Sequence, residues 1–311
     1  MLRTRVALLC VATALAGGSA RLADASATAG TGGSARNSAA TSAAPHALPL
    51  PFYYDLYTFR GNGGSTAVVA AFAVSAGLLR KEGAGRGVRY RFDVTLVLAD
   101  TALRSVARTD DSVFVYFPRS LLAEHLLYTQ LEIQARPSRS TLQRVIMTDA
   151  TEPGIGQLYG SPFPIPDYSG SRLMLSDIAL GLPAAEGGWK RGEVTLALLP
   201  TSQFPASAFD VYYEIYNLPA SHRYETEIAV EPVVAGRPVR LRFEGRAAAS
   251  SVGFLQELRR VEASLARGRY RITVTITDAA TGQSASRSRE FEVRGWPRGT
   301  TLVAALPREV P

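Results

Sequence analysis

The chain has 311 residues, of which 46% are hydrophobic and 20% charged, and its formal net charge is +7. This length suffices for two or three domains with sizeable cores, and the composition excludes a wholly disordered chain. The chain has a single cysteine, Cys10, which excludes a disulfide scaffold and cysteine-based zinc or redox sites. It has three histidines, His46, His125 and His222, and this small number weighs against histidine-dependent chemistry.

Residues 1–20 have the pattern of a secretory signal peptide. Arg3 and Arg5 form a basic start, an apolar run extends from 6 to 16, and Gly18 and Ala20 are small residues suited to cleavage. The run is shorter than the roughly 18 residues that a membrane-spanning helix requires. We therefore expect a cleaved leader, no membrane span, and a protein that resides in the periplasm or outside the cell.

Residues 21–48 consist mainly of Ala, Ser, Thr and Gly and contain no aromatic side chain. Such a segment buries too little apolar surface to offset its conformational entropy. It is predicted to be a disordered linker.

From residue 49 onward, short apolar or alternating runs separated by Gly, Pro, Asn and Asp predict β-strands. The predicted strands of the first half are 52–59, 67–74, 89–100, 112–117, 128–135 and 142–148, and 152–171 is predicted to be a loop rich in Gly and Pro. Those of the second half are 193–199, 209–218, 224–233, 239–243, 270–277 and 286–293. The segment 251–266 fits either a short helix or an edge strand.

About six strands in each half predict an all-β fold of two tandem Ig-like or fibronectin-like β-sandwiches. The first is predicted over 49–183 and the second over 184–297, followed by a C-terminal tail over 298–311. A shift of 142 residues lays 67–74 on 209–216 and also lays 128–133 on 270–275, which indicates a tandem duplication.

The segment L-A-R-G-R-Y, which ends at Tyr270, predicts a tyrosine corner. In Ig-like sandwiches such a tyrosine begins the penultimate strand, and its hydroxyl bonds to the upstream backbone. Tyr128 is predicted to occupy the equivalent place in the first half, although no glycine precedes it there.

Five segments of the sequence resemble those of a known family. They are L-S-D-I-A-L at 175–180, F-D-V-Y-Y-E-I-Y-N-L at 209–218, the L-x-x-G-x-Y turn, T-V-T-I-T-D at 273–278 and F-E-V at 291–293. Together they resemble the β-sandwich region of bacterial secreted proteins known as GWxTD domain-containing proteins, well over 170–295 and more loosely over 52–150. The Gly-Trp-x-Thr-Asp element itself is absent, and only Gly188 and Trp189 match it. The resemblance implies a location and an architecture, and it implies no activity.

Motifs that carry enzymatic chemistry do not emerge from the sequence. No nucleophile elbow with a downstream histidine occurs, and the glycines at 83–87 favour a hairpin turn over a phosphate-binding loop. Aspartates lie at predicted strand ends, where they bond to turn backbone: Asp100, Asp110, Asp111, Asp149 and Asp278. The arginines alternate with apolar residues, which favours solvated strand faces over nucleic-acid binding. We expect a non-catalytic protein without catalytic, cofactor-binding or metal-binding residues, and without a nucleic-acid partner.

A tyrosine-rich strand supplies the candidate binding site. Alternation places Tyr212, Glu214 and Tyr216 on one face of 209–216, opposite an apolar face. If the apolar face is core, the other face stands exposed and can stack on a sugar ring or anchor a protein. The alternative is that these side chains pack against a neighbouring strand or the other domain. A second aromatic set, Tyr159, Phe163 and Tyr168, lies in the predicted loop.

The sequence thus predicts a secreted interaction module whose partner is another envelope or secreted protein, or a glycan. One alternative is a periplasmic chaperone of the donor-strand type, which lends an edge strand to its client. Another is a carbohydrate-active enzyme or a carbohydrate-binding module.

Overall fold

The computed structural model describes residues 48–151, 154–184, 187–201, 204, 208–234, 236–248, 254–294, 302–304 and 306–307. The predicted signal peptide and, apart from Leu48, the predicted linker lie outside the described residues. Within those residues the chain forms strands arranged in four sheets, and a 3-10 turn, Ala76–Leu78, is the only helical element. The described part of the chain thus contains no helix long and apolar enough to cross a bilayer. The prediction of an all-β fold is confirmed.

The first half of the described chain contributes nine strands to the first sandwich. They are β1 (Leu48–Pro49), β2 (Tyr53–Arg60), β3 (Thr66–Ser75), β4 (Lys81–Ala84), β5 (Gly87–Ala99), β6 (Ser105–Phe117), β7 (Leu126–Ala135), β8 (Ser138–Asp149) and β9 (Gly154–Ile165). Strands β1-β9-β8-β5-β6, with β4 on β5, form outer sheet 1, and β2-β3-β7 form inner sheet 1. Alternating apolar side chains of β3 and β5, among them Phe72 and Phe92, meet in one core between these sheets.

The second sandwich follows the same plan. Its strands are β10 (Met174–Leu175), β11 (Ala179–Pro183), β12 (Trp189–Arg191), β13 (Val194–Leu198), β14 (Phe209–Tyr216), β15 (Arg223–Pro232), β16 (Val239–Arg246), β17 (Phe254–Val261), β18 (Gly268–Asp278) and β19 (Ser284–Val293). Strands β10 to β14 and β17 form inner sheet 2, in which β10 and β11 pair with one edge of β14 and β17 with the other. Strands β16-β15-β18-β19 form outer sheet 2.

The two sandwiches repeat one strand order. The order β9-β8-β5-β6 matches β19-β18-β15-β16, and β2-β3-β7 matches β11-β14-β17, which supports the tandem duplication. The overlay of 67–74 on 209–216 joins equivalent strands, β3 and β14. The second overlay is wrong, because Tyr128 lies in β7 of an inner sheet and Tyr270 in β18 of an outer sheet. The connections between the strands differ in length, so one offset cannot serve the whole repeat.

The predicted domain boundaries shift at both ends. Strands β10 and β11, predicted in the first domain, pair with β14 of the second, so the boundary falls between β9 and β10. The predicted tail returns to the first sandwich, where β20 (Leu302–Ala304) pairs in parallel with β7 and β21 (Leu306–Pro307) pairs with β6. Val303 is buried in the first core. The segment 251–266, for which the sequence fits either a short helix or an edge strand, contains β17, which is an edge strand of inner sheet 2.

The predicted loop at 152–171 is wrong over most of its length, because β9 occupies Gly154–Ile165. Gly156 marks a close backbone approach rather than a turn, since a Cβ on it would lie 2.0 Å from the carbonyl oxygen of Leu50. Pro162 and Pro164 fall where the pairing with β8 is irregular, and a strand tolerates proline at such positions.

The tyrosine corner at Tyr270 is confirmed. Its hydroxyl donates to the Ala266 carbonyl at 3.0 Å, and its ring stacks on Phe291 with centroids 5.6 Å apart. We expect Tyr270→Phe to lower the free energy of unfolding by about 1 kcal/mol, the typical net value of one such hydrogen bond. Urea unfolding measures this, with Tyr159→Phe on the exposed face of β9 as the control. Equal effects of the two substitutions would contradict the role of the corner.

Asp278 ends β18 and accepts hydrogen bonds from the Thr281 hydroxyl at 2.7 Å, His222 Nδ1 at 3.0 Å and the Ala280 amide at 3.0 Å. These bonds, that of Thr281 foremost, lower the pKa of Asp278 to about 2. Because the unfolded value is about 3.9, the stabilisation is present above about pH 4 and is lost as the pH falls toward 2. The difference in unfolding free energy between wild type and Asp278→Asn should therefore shrink over that interval in acid titrations. A difference that does not change with pH would exclude this contribution.

Candidate functional site

The two inner sheets pack face to face and join the sandwiches into a single four-layer stack. A third apolar cluster between them contains Phe59 and Val69 from inner sheet 1 and Trp189, Leu198 and Tyr212 from inner sheet 2. Trp189 stacks on Phe59 at 4.9 Å and meets Tyr212 edge-on at 5.3 Å. Each inner sheet is consequently covered on both faces, and every residue of β14 is buried.

The expectation of an exposed binding face at Tyr212, Glu214 and Tyr216 is wrong. Alternation assigned the two faces correctly, since Val211, Tyr213 and Ile215 face the second core. The opposite face, however, lies against the first sandwich, and all three predicted site residues are 0% exposed. The alternative that they pack against the other domain is confirmed. The signal was in the sequence: 67–74 has no polar face, which is typical of a strand buried on both sides.

Glu214 is the centre of a buried polar network. Its Oε1 accepts from Arg191 Nε at 2.7 Å and from the Tyr212 hydroxyl at 2.7 Å, and its Oε2 accepts from Arg191 Nη2 at 3.1 Å and from the Tyr216 hydroxyl. Arg191 Nη2 also donates to the carbonyl of Arg60 at 2.6 Å, which ties β12 to the end of β2. The carboxylate and the guanidinium thus satisfy one another and bridge both sandwiches.

The electrostatics of this network keep its two phenols and its guanidinium protonated. Burial and then the charge of Glu214 raise the pKa of the Tyr212 and Tyr216 phenols far above the usual range, so both stay neutral donors. Burial alone would lower the pKa of Arg191, but its hydrogen bond and charge interaction with Glu214 more than offset this and raise it. The network is therefore a fixed ion pair capped by two phenols, which suits a structural link.

A second polar clamp, missed by the sequence, joins β19 to the edge of β2. Arg289 Nη1 lies 2.9 Å from Asp55 Oδ2, its Nη2 donates to the Leu56 carbonyl at 2.8 Å, and its guanidinium lies 4.2 Å from the centre of the Tyr57 ring. Asp177 accepts from the Thr58 amide at 2.9 Å on the same edge. Backbone groups of an edge strand, which would otherwise lack partners, are thus satisfied by the second sandwich.

The second predicted aromatic set is dispersed. Tyr159 is 70% exposed on outer sheet 1, where Arg144 lies 5.7 Å from its ring centre. Phe163 belongs to the first core. Tyr168 is buried at the junction, where its hydroxyl lies 2.9 Å from Thr58 Oγ1 and its ring packs 4.9 Å from Tyr216.

The accessible feature that the sequence did not predict is an open groove of about 400 Å³ beside β19. Residues 172–175, which include β10, form one wall, and residues 283–287, which begin β19, form the other. Arg287 Nε donates to the Leu175 carbonyl across it at 3.3 Å. Farther along, the chain covers the same edge itself: the Glu292 amide donates to Thr201 at 2.7 Å, and the Phe204 amide donates to Glu292 at 3.2 Å.

Comparison with known proteins found no matching family model and no matching curated protein. Among solved structures, a calcium-binding mutant of Bacteroides uniformis β-glucuronidase 2 aligns at TM-score 0.27 and 9% identity, over 80% of this chain and 28% of that one. Red sea bream transglutaminase aligns at 0.23 and 11%, over 78% and 31%. A tetra-tandem repeat from the extending region of a large adhesion protein aligns at 0.24 and 9%, over 78% and 49%. This chain thus spans less than half of each, and similarity at this level supports neither a fold nor a functional assignment.

Proposed function

We propose that this chain is a secreted, non-catalytic interaction module of the bacterial envelope or cell surface that binds another protein. The observation that carries the proposal is the pair of buried links, Arg191 with Glu214 and Arg289 with Asp55, which fix the two sandwiches as one body. A rigid body presents its outer sheets and edges in fixed positions and loses little conformational entropy when it binds.

The acidic and phenolic groups that most resemble a reactive cluster serve this link. Glu214, Tyr212 and Tyr216 are sealed between sheets and saturated with hydrogen bonds. Secretion rests on the leader pattern of residues 1–20, and N-terminal sequencing of the exported protein should find cleavage after Ala20.

Photo-cross-linking in intact cells tests the proposal. A benzophenone amino acid is placed at exposed positions on both outer surfaces: Tyr116 and Tyr159 on outer sheet 1, and Arg246 and Ser286 on outer sheet 2. We expect a discrete adduct with one protein from at least one position and none from a probe at buried Tyr212. The absence of an adduct from every exposed position would contradict the proposal.

A second candidate function, glycan binding, is favoured by Tyr159. Its ring is exposed, its hydroxyl accepts from Gln157 Nε2 at 2.6 Å, and Gln157 in turn accepts from Arg144 Nη2 at 2.5 Å. An ordered aromatic ring flanked by donors can stack on a sugar. Retention on a polysaccharide that disappears in Tyr159→Ala and persists in Tyr116→Ala would favour this function over protein binding.

A further inference from the structure

We infer that the edge of β19 beside the groove binds an extended, carboxylate-bearing segment of a partner protein, which adds to outer sheet 2 as a fifth strand. This inference rests on the proposed function and names its site and ligand class. It is the reverse of a chaperone that lends a strand, because here the chain receives one.

The backbone of β19 is oriented to accept such a strand. The N–H and C=O of Glu292 point away from β18, since the N–H donates to the Thr201 carbonyl and the C=O accepts from the Phe204 amide. Pairing between β18 and β19 is regular throughout, so backbone direction alternates residue by residue. Ser284, Ser286 and Ser288 therefore present their N–H and C=O groups to the same side, where no described backbone group bonds to them.

The chain itself shows that this edge accepts a strand. Phe204 forms a parallel bridge with Val293, so this residue already extends outer sheet 2 at one end of β19. The stretch from Ser284 to Glu290 is the continuation of the same edge. A partner segment there would take up the position that Thr201 and Phe204 hold farther along.

The edge also lacks the protection that edge strands usually carry. The opposite edge strand, β16, projects Arg240, Arg242 and Arg246 into solvent, and long charged side chains oppose strand addition. On β19 the outward side chains at 284, 286 and 288 are serines, and the glutamates of that face, Glu290 and Glu292, follow only at 290 and 292. The hydroxyls of Ser286 and Ser288 lie 3.1 and 2.8 Å from those of Thr275 and Thr273 on the sheet's own face, so they do not overhang the edge.

Charge indicates the chemistry of the ligand. Arg172 and Arg287 both line the groove, and in the described part of the chain neither is paired with a carboxylate. By contrast, Arg240, Arg242, Arg269 and Arg271 of outer sheet 2 have carboxylate partners, such as Arg271 with Glu290 at 2.8 Å. Two guanidinium groups beside an open strand edge favour an acidic peptide, because charge-assisted bonds to a carboxylate are the strong ones.

Fluorescence anisotropy with a synthetic probe tests this site. The probe is a fluorescein-labelled peptide of alternating Thr and Val that ends in Asp with a free C-terminus, and its counterpart ends in Asn amide. We expect the acidic peptide to bind the wild-type protein about tenfold or more tightly than the amide. In the double variant Arg172→Gln, Arg287→Gln this preference should fall to within about twofold.

Proline substitution separates strand addition from simple charge attraction. Ser286→Pro removes an amide that points outward and should weaken binding at least about tenfold, whereas Ser286→Ala keeps the amide and should leave binding unchanged. On the wild-type protein, hydrogen exchange at Ser286 and Ser288 should slow when the peptide is present, and this readout requires no variant. Unchanged binding in a folded Ser286→Pro, equal binding of both peptides, or unaltered exchange would overturn the inference.

Self-association is a separate outcome. Dimers that Ser286→Pro abolishes in sedimentation velocity would replace the partner segment by a second copy, and would overturn the inference as stated. Peptide binding can also fail while cellular cross-links form at Tyr159. That result would support the proposed interaction module and would contradict the binding site at the edge of β19.

Discussion

Glu214→Gln is expected to lower the free energy of unfolding by about 3 to 5 kcal/mol, the cost of breaking a buried ion pair by removing one partner. The substitution leaves the Arg191 guanidinium, whose side chain is 15% exposed, without its countercharge in a site where Glu214 is 0% exposed. It also presents an amide donor to the hydroxyl donors of Tyr212 and Tyr216, which now have one acceptor fewer. Equilibrium unfolding in urea measures the loss.

Glu227→Gln is the matched control, because Glu227 on β15 pairs with Arg240 and Arg242 at the surface. Exposed pairs of this kind contribute about 0 to 1 kcal/mol. A double-mutant cycle with Arg191→Met isolates the coupling, and the double variant should be more stable than Glu214→Gln alone because no unpaired charge remains buried. If Glu214→Gln cost no more than Glu227→Gln, the network would not hold the two sandwiches together.

The strands were predictable where one face is apolar and the other polar. In β18, Ile272, Val274 and Ile276 alternate with threonines, and the predicted strand, 270–277, lies within the observed one, Gly268–Asp278. Prediction failed at β9, where Gly156 and the prolines have the composition of a loop. There the reason for glycine is the backbone of Leu50, which is distant in sequence and therefore not visible to a local pattern.

The stacking of the two sandwiches was harder to predict than the sandwiches themselves. A strand such as β14, with large side chains on both faces, is compatible with an exposed aromatic surface or with a second covering layer. The carboxylate of Glu214 indicates a second covering layer only if Arg191 is known to lie beside it. That contact is not visible in the sequence, because Arg191 belongs to β12, which pairs with β13, whereas Glu214 belongs to β14, which pairs with β11. The same holds for β19, where Arg287 and Arg289 are equivalent in pattern but have different surroundings.

The different surroundings of Arg287 and Arg289 predict a second large change in the free energy of unfolding. Arg289→Met is expected to destabilise the protein by about 3 to 5 kcal/mol, because Asp55 loses its countercharge and is itself only 8% exposed. The Leu56 carbonyl on the edge of β2 loses its donor as well, and the contact of the guanidinium with the Tyr57 ring disappears. Urea unfolding again measures the effect.

Arg287→Met is the matched control, since it lies two residues earlier on the same face of the same strand and has no carboxylate partner in the described residues. Its expected cost is about 1 to 2 kcal/mol, because it gives up a carbonyl contact at 3.3 Å and a side-chain hydrogen bond with Tyr168 but leaves no carboxylate without a countercharge. Asp55→Asn should mimic Arg289→Met, and combining the two should cost less than the sum of both, since each removes one end of the same pair. Equal losses for Arg287→Met and Arg289→Met would mean that the clamp contributes no specific link between the sandwiches. Additive losses for Asp55→Asn and Arg289→Met would mean that the two side chains act independently despite the 2.9 Å between them.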